Sequence, residues 1–176
     1  RGETVTGITT FQMDEGMDTG PMLIPRATPI EPAETAGELA VRLARLGADV
    51  LIETLERLDQ LVPTPQRHEE ATLAPRLKKT DGHLDWARPA PELANRVRGC
   101  NPWPGALTLT PAGPLTIWRA AALAGAGHPG AAAPSGAPPG TLAPHEGGLA
   151  VTAGEGAVLP LTVQPENRRT MAWPEY

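Results

Sequence analysis

The chain has 176 residues with 15 Lys and Arg against 20 Asp and Glu, a net charge of −5, and 40% hydrophobic residues. That length can bury a core; no apolar run approaches the roughly 20 residues of a membrane helix, and no secretory segment is visible. The single cysteine, Cys100, excludes an internal disulfide framework and reads as a small buried thiol, and the four histidines are scattered without ligand spacing, so no metal site is expected.

The first segment, TVTGITTFQMD (4–14), is rich in β-branched residues and predicts a buried strand over 6–13. DEGMDTGP (14–21) then reads as a loop, with Gly16 and Gly20 permitting positive φ and Pro21 closing it. MLIPRATPI (22–30) is a second extended segment, which Pro25 and Pro29 push towards a sheet edge. Thr35-Ala36-Gly37-Glu38 has the form of a capping box and opens a helix over 35–58. Leu39, Leu43, Leu46 and Val50, then Leu51, Leu55 and Leu58, predict one apolar stripe made to lie on a sheet, with Gly47 weakening its continuity.

Residues 61–86 carry prolines and charges without sustained periodicity and read as a crossing linker. A short helix over 90–99 should turn Leu93 and Val97 inward. Past NPWPGA the texture becomes all-β, with short alternating runs at 106–110, 115–121, 148–152 and 157–164 that suggest a small barrel. Between them, 124–140 has few side chains that can pack and is expected to be a mobile loop. Trp103, between two prolines, reads as a packing wedge, Trp118 as half-buried sheet, and Asn101 as a residue that pins its turn.

Asp18-Thr19-Gly20 raises the possibility of an aspartic protease. That chemistry needs two carboxylates sharing one proton, and this chain has one such tripeptide, preceded by Gly16-Met17 and followed by Pro21. The long amphipathic helix downstream is also foreign to an all-β protease lobe, so the protease is set aside. On the residues alone, Asp18 reads as a turn residue bonding its own loop amides.

The longer string TGITTFQMDEGMDTGPML (6–23) resembles a signature of the folate-dependent formyltransferases, and RGCNPWPGA (98–106) is similar to the segment that opens the C-terminal domain of the members acting on initiator tRNA. The two motifs span nearly the whole chain in the family's order. The resemblance implies an α/β plus β fold: residues 1–66 as the C-terminal part of a Rossmann-like formyltransferase domain, a linker over 67–89, and an OB-like β-barrel over 90–176. It implies transfer of a formyl group from 10-formyltetrahydrofolate to the α-amino group of methionyl initiator tRNA, by a cytoplasmic monomer with no membrane partner. Asp18 then matches the catalytic aspartate, and the backbone of Asp14, Glu15, Gly16 and Met17 matches the loop lining the pteridine pocket.

The family's Asn-x-His and Ser-Leu-Leu-Pro signatures do not occur in these residues. With Arg1 first and TMAWPEY last, an internal fragment is expected, inert by itself and poorly folded without the strands its helix would cover. Basic residues are enriched downstream: residues 1–66 hold 5 basic and 11 acidic groups (5 − 11 = −6), and 67–176 hold 10 and 9 (10 − 9 = +1). Arg76, Lys78, Lys79, Arg96, Arg98 and Arg119 are the candidates for contacts to tRNA phosphates. Other readings are a different folate-dependent formyltransferase, a formyl-folate hydrolase, or a stand-alone OB-type nucleic-acid-binding module.

Overall fold

The computed structural model describes residues 2–123, 137–145 and 148–176. The chain divides into two units, Glu3–Arg76 and Leu77–Tyr176, the second joined by Gly2.

In the first unit, β1 (Val5–Phe11) pairs antiparallel with β2 (Met22–Pro29), Val5 opposite Pro29, with a register shift between Thr10 and Phe11 where the chain enters the 12–21 loop. The helix α1 (Ala36–Glu56) follows, opened by the predicted capping box: Thr35 Oγ1 accepts the Glu38 N–H and the Glu38 carboxylate accepts the Thr35 N–H. This satisfies donors that the first turn would otherwise leave free.

The buried side of α1 runs through Leu39, Leu43, Leu46 and Val50, as expected, and then continues to Thr54 rather than to the second set of leucines. Gly47 lies on this side, where an added Cβ would sit 3.8 Å from Ile8 of β1. Leu51, Leu55 and Leu58 are exposed, together with Val41 and Ile52. Each residue turns the helix by about 100°, so Leu51 and Leu55 stand a quarter-turn away from Val50 and Thr54. A two-stranded sheet covers one side only. After a 3₁₀ turn at Leu58–Gln60 the chain returns to the β2 edge, where Thr64 and Met22 exchange both backbone hydrogen bonds at 2.8 Å.

The second unit is a six-stranded antiparallel sheet with a helix packed on it. The strands are β3 (Ala106–Thr110), β4 (Gly113–Leu123), β5 (Leu142–His145), β6 (Gly148–Thr152), β7 (Ala157–Pro165) and β8 (Met171–Ala172). Their order is β3-β4-β7-β6-β5, with β8 also on β7. Among the described residues no ladder joins β3 to β5, so these ladders form a sheet with two edges and not a closed barrel. The short strands β5 and β8 are additions to the four runs read from sequence.

The helix α2 (Ala90–Gly99) lays Leu93 and Val97, each 1% exposed, on this sheet, as its spacing predicts. Val97 joins Ala106, Leu115, Ile117, Leu159, Val163 and Trp173 in the main core. Residues 83–89, inside the expected linker, belong to this unit: the Leu84 N–H donates to Leu107 O at 2.9 Å, and Trp86 Nε1 donates to Thr108 Oγ1 at 2.9 Å. Of the stretch expected to be mobile, 124–136 lies outside the described residues. Its last residues form a turn against β6, with the Gly140 N–H donating to Thr152 O at 2.8 Å.

Candidate functional site

The loop between β1 and β2 is closed at its base by the Gln12 N–H, which donates to Pro21 O at 3.0 Å. Gly20 is buried there, and a Cβ on it would fall 1.7 Å from Gln12 O, so the narrow neck excludes any side chain at this position. Asp14 organises the tip. Its Oδ1 accepts the Gly16 N–H at 3.0 Å and the Thr19 hydroxyl at 2.7 Å. A Cβ on Gly16 would lie 2.0 Å from that hydroxyl, so the bond requires glycine.

Asp18 sits in this frame with φ of 55°, one of two non-glycine residues at positive φ among those described. The left-handed conformation costs an L-residue roughly 1–2 kcal/mol, least for Asn and Asp when the short side chain bonds locally. Here it does not: Asp18 is exposed, and among the described residues no hydrogen bond or ion pair reaches its carboxylate. The turn role that the sequence alone assigns to Asp18 is filled by Asp14. A strained residue with an unengaged acid is the kind of outlier that points to function. Met13 and Met17, each 89% exposed, present polarisable apolar side chains from the same loop.

Sequence reasoning missed Gln66. Its Nε2 donates to Asp18 O at 2.9 Å and to Gly20 O at 2.7 Å, from 48 residues away in the chain. The Thr64–Met22 backbone pair brings it there, and nothing local in the sequence announces that return.

The six basic candidates do not all fall together. Arg76 ends the first unit and the other five belong to the second. Lys78 and Lys79 lie at the 3₁₀ turn Lys79–Gly82, to which Arg96 of α2 is tied by donating through Nη1 to Asp81 O at 2.6 Å, so these three share one corner. Arg98 is turned to Asn95, with Nε 2.9 Å from Oδ1. Arg119 is exposed on β4 beside an irregularity in its register with β7.

The Asn-Pro-Trp-Pro-Gly segment leads from α2 into the sheet. Asn101 Nδ2 donates to Trp118 O at 2.9 Å and so pins the turn, and Trp118 is half-buried with Nε1 donating to Gln164 Oε1 at 2.9 Å. Trp103 is 53% exposed and is not the buried wedge expected of it. Cys100, just before Asn101, is buried, which pushes its thiol pKa upward.

Comparison with known proteins gives two family matches: residues 76–176 match the model for the formyl transferase C-terminal domain and residues 1–55 the model for formyl transferase. The methionyl-tRNA formyltransferase of Solibacter usitatus is 49% identical over 170 residues, covering 96% of this chain and 52% of its own. That of Caldanaerobacter subterraneus is 42% identical over 177 residues, covering 99% and 55%. The chain thus spans about half the length of the curated relatives it matches. Among solved structures, the N-formyltransferase from Helicobacter canadensis in complex with folinic acid and dTDP-3-aminofucose superposes with a TM-score of 0.66 at 15% identity, covering 90% of this chain and 56% of that one. At that identity the likeness concerns the fold alone.

Proposed function

The chain belongs to the formyl transferase family, and from that premise we propose that it takes part in transferring a formyl group from 10-formyltetrahydrofolate to the α-amino group of methionyl initiator tRNA. What carries the reading is Asp18, held at positive φ with its carboxylate unengaged at the tip of the β1–β2 loop. In such a transfer the amine attacks the formyl carbon, negative charge grows on the formyl oxygen, and the amine must lose a proton. Asp18 acts as the electrostatic partner of a histidine, holding the imidazole in its orientation and favouring its charged form, and through water as a proton acceptor. That histidine belongs to the family's Asn-x-His signature, which these residues do not contain.

The backbone of Asp14, Glu15, Gly16 and Met17 would form one wall for the folate. The Asp14 bonds that fix this tip support the assignment, as does the exposed thioether of Met17, suited to the face of a pteridine ring. Residues 1–66 are read as the end of a Rossmann-like domain and 90–176 as an OB-like tRNA-binding domain, joined by the linker expected over 67–89, of which 83–89 bond to the second unit's sheet, with Arg76, Lys78, Lys79, Arg96, Arg98 and Arg119 facing phosphates. The enzyme is taken to be a cytoplasmic monomer. Among the described residues no helix is long and apolar enough to cross a membrane.

The test is formyl transfer by the complete gene product that carries this sequence, with methionyl initiator tRNA and an amino-sugar nucleotide as rival acceptors. Turnover on the tRNA supports the reading. Turnover on the sugar alone makes the protein a different formyltransferase, and tRNA binding without turnover leaves a binding module.

A further inference from the structure

We propose that Gln66 is a positioning residue for Asp18, acting through the loop backbone and not by touching the reacting atoms. The inference rests on the reading of Asp18 given above. One amide nitrogen carries two hydrogens, and Gln66 Nε2 places them on two carbonyls, Asp18 O at 2.9 Å and Gly20 O at 2.7 Å. The first bond fixes the peptide plane that leaves Asp18, and with it the ψ angle that aims the carboxylate. The second fixes the plane two residues on, at the neck. Gln66 itself is anchored two residues from Thr64, whose paired bonds to Met22 are both 2.8 Å.

Asp14 holds the loop from its other side through Thr19 and Gly16. The two clamps divide the work. Asp14 shapes the tip within the loop, whereas Gln66 ties that tip to a separate segment of the unit and so sets where Asp18 stands relative to the sheet. A residue at positive φ relaxes easily by rotating its flanking peptides, so the clamp that matters for Asp18 is the one on its own carbonyl.

The substitutions Gln66→Leu and Gln66→Glu, made in the complete gene product, separate this role from simple support. Leu keeps the bulk and loses both donors; Glu keeps the shape and sets a carboxylate against two carbonyl oxygens. Misplacing a catalytic group by about 1 Å can cost on the order of 10²-fold in rate. Gln66→Leu is expected to lower kcat by tens-fold or more, leave KM for the aminoacyl-tRNA within about twofold and lower the unfolding midpoint only as far as the loss of two hydrogen bonds does. Gln66→Glu is expected to be impaired at pH 8 and to recover relative to the wild type as pH falls, because the protonated carboxyl regains one O–H donor; its apposition to two carbonyls raises its pKa and brings that recovery above the usual carboxylate range. Gln66→Leu shows no such recovery.

Amide hydrogen exchange over residues 13–20 gives a readout independent of turnover, with about tenfold faster exchange expected in Gln66→Leu. Unchanged exchange overturns the proposal, as does a wild-type kcat in Gln66→Leu, or an equal, pH-independent loss in both variants that tracks a lowered unfolding midpoint. Asp18→Asn run in parallel keeps the two readings apart. If it retains full transfer, the role of Asp18 fails; if it is inactive while Gln66→Leu is not, the role of Gln66 alone fails.

Discussion

The carboxylate of Asp14 accepts the hydroxyl of Thr19 at 2.7 Å, across a loop in which the carboxylate of Asp18 has no partner among the described residues. One acid is structural and the other is spare, four residues apart. If Asp18 has the proposed role, Asp18→Asn in the complete gene product should leave the unfolding midpoint unchanged while lowering kcat for formyl transfer by roughly 10²–10⁴-fold, the range of a lost acid–base group. Asp18→Gly should lose activity likewise and gain up to about 1 kcal/mol of stability, because glycine relieves the positive φ. Asp14→Ala should destabilise by about 1–2 kcal/mol through its two lost bonds. Chemical denaturation beside single-turnover transfer separates these outcomes; a destabilised Asp18→Asn would return Asp18 to a turn role.

The loop's neck makes a sharper demand. At Gly20 the added Cβ of alanine would fall 1.7 Å from Gln12 O, a backbone atom that cannot swing aside. Gly20→Ala should break the Gln12–Pro21 closure and destabilise the first unit by about 3 kcal/mol or more, the scale of overpacking against a fixed neighbour. A denaturation midpoint near the wild type would mean that the neck opens without cost.

Both predictions concern local chemistry, and local chemistry is what the sequence displays. The capping box at Thr35 and the inward pair Leu93 and Val97 are each written within a few residues. Tertiary returns are not. Gln66 reaches Asp18 across 48 positions, and no periodicity encodes it. The exposed leucines of α1 show the same limit: an apolar run says that a face can be buried, while which side the sheet covers depends on where β1 and β2 lie. Barrel closure is likewise set by strand pairing, which short alternating runs leave open.

At the start of α1, Thr35 is 4% exposed and its hydroxyl accepts the Glu38 N–H. Thr35→Ala removes this cap and takes the side-chain acceptor from the Glu38 N–H, which should cost about 1 kcal/mol, whereas Thr35→Ser should restore most of it. Thermal unfolding of the two variants side by side checks the hydroxyl against the lost methyl group. If serine fails to rescue, packing and not capping sets the effect.

Just before that cap, the Arg42 guanidinium holds Glu34 in a fork, Nε to Oε1 at 2.9 Å and Nη2 to Oε2 at 2.8 Å, and also donates to Thr28 Oγ1 and Pro29 O. The Arg42 hydrogen bond holds the Glu34 carboxyl below its ordinary value near 4.5. A group whose folded pKa is lowered contributes stability that is fully present above its unfolded pKa and is lost as pH falls through the folded one. Glu34→Gln should therefore lower the unfolding midpoint at pH 7, and the gap from the wild type should narrow steadily below about pH 4.5 as the wild type itself protonates. A gap that stays constant down to pH 3 would show that the carboxylate's charge is not what Arg42 recognises.

The corner formed by Lys79 and Arg96 separates phosphate contact from folding. Lys79 is exposed, with no partner among the described residues, whereas Arg96 also ties α2 to Asp81 O at 2.6 Å. If both face tRNA phosphates, Lys79→Ala should weaken initiator tRNA binding and reduce the slope of log affinity against log salt by about 0.7–0.9, with no change in unfolding. Arg96→Ala should reduce the slope similarly and also destabilise by about 1 kcal/mol, the net worth of its bond to the carbonyl. Filter binding across a salt series, with each variant's unfolding curve beside it, reads both quantities. A lost slope with intact folding in Lys79→Ala assigns this corner to the tRNA backbone. Unchanged slopes in both variants would leave Arg96 as a helix-to-turn tie and move the search for phosphate contacts to Arg98 and Arg119.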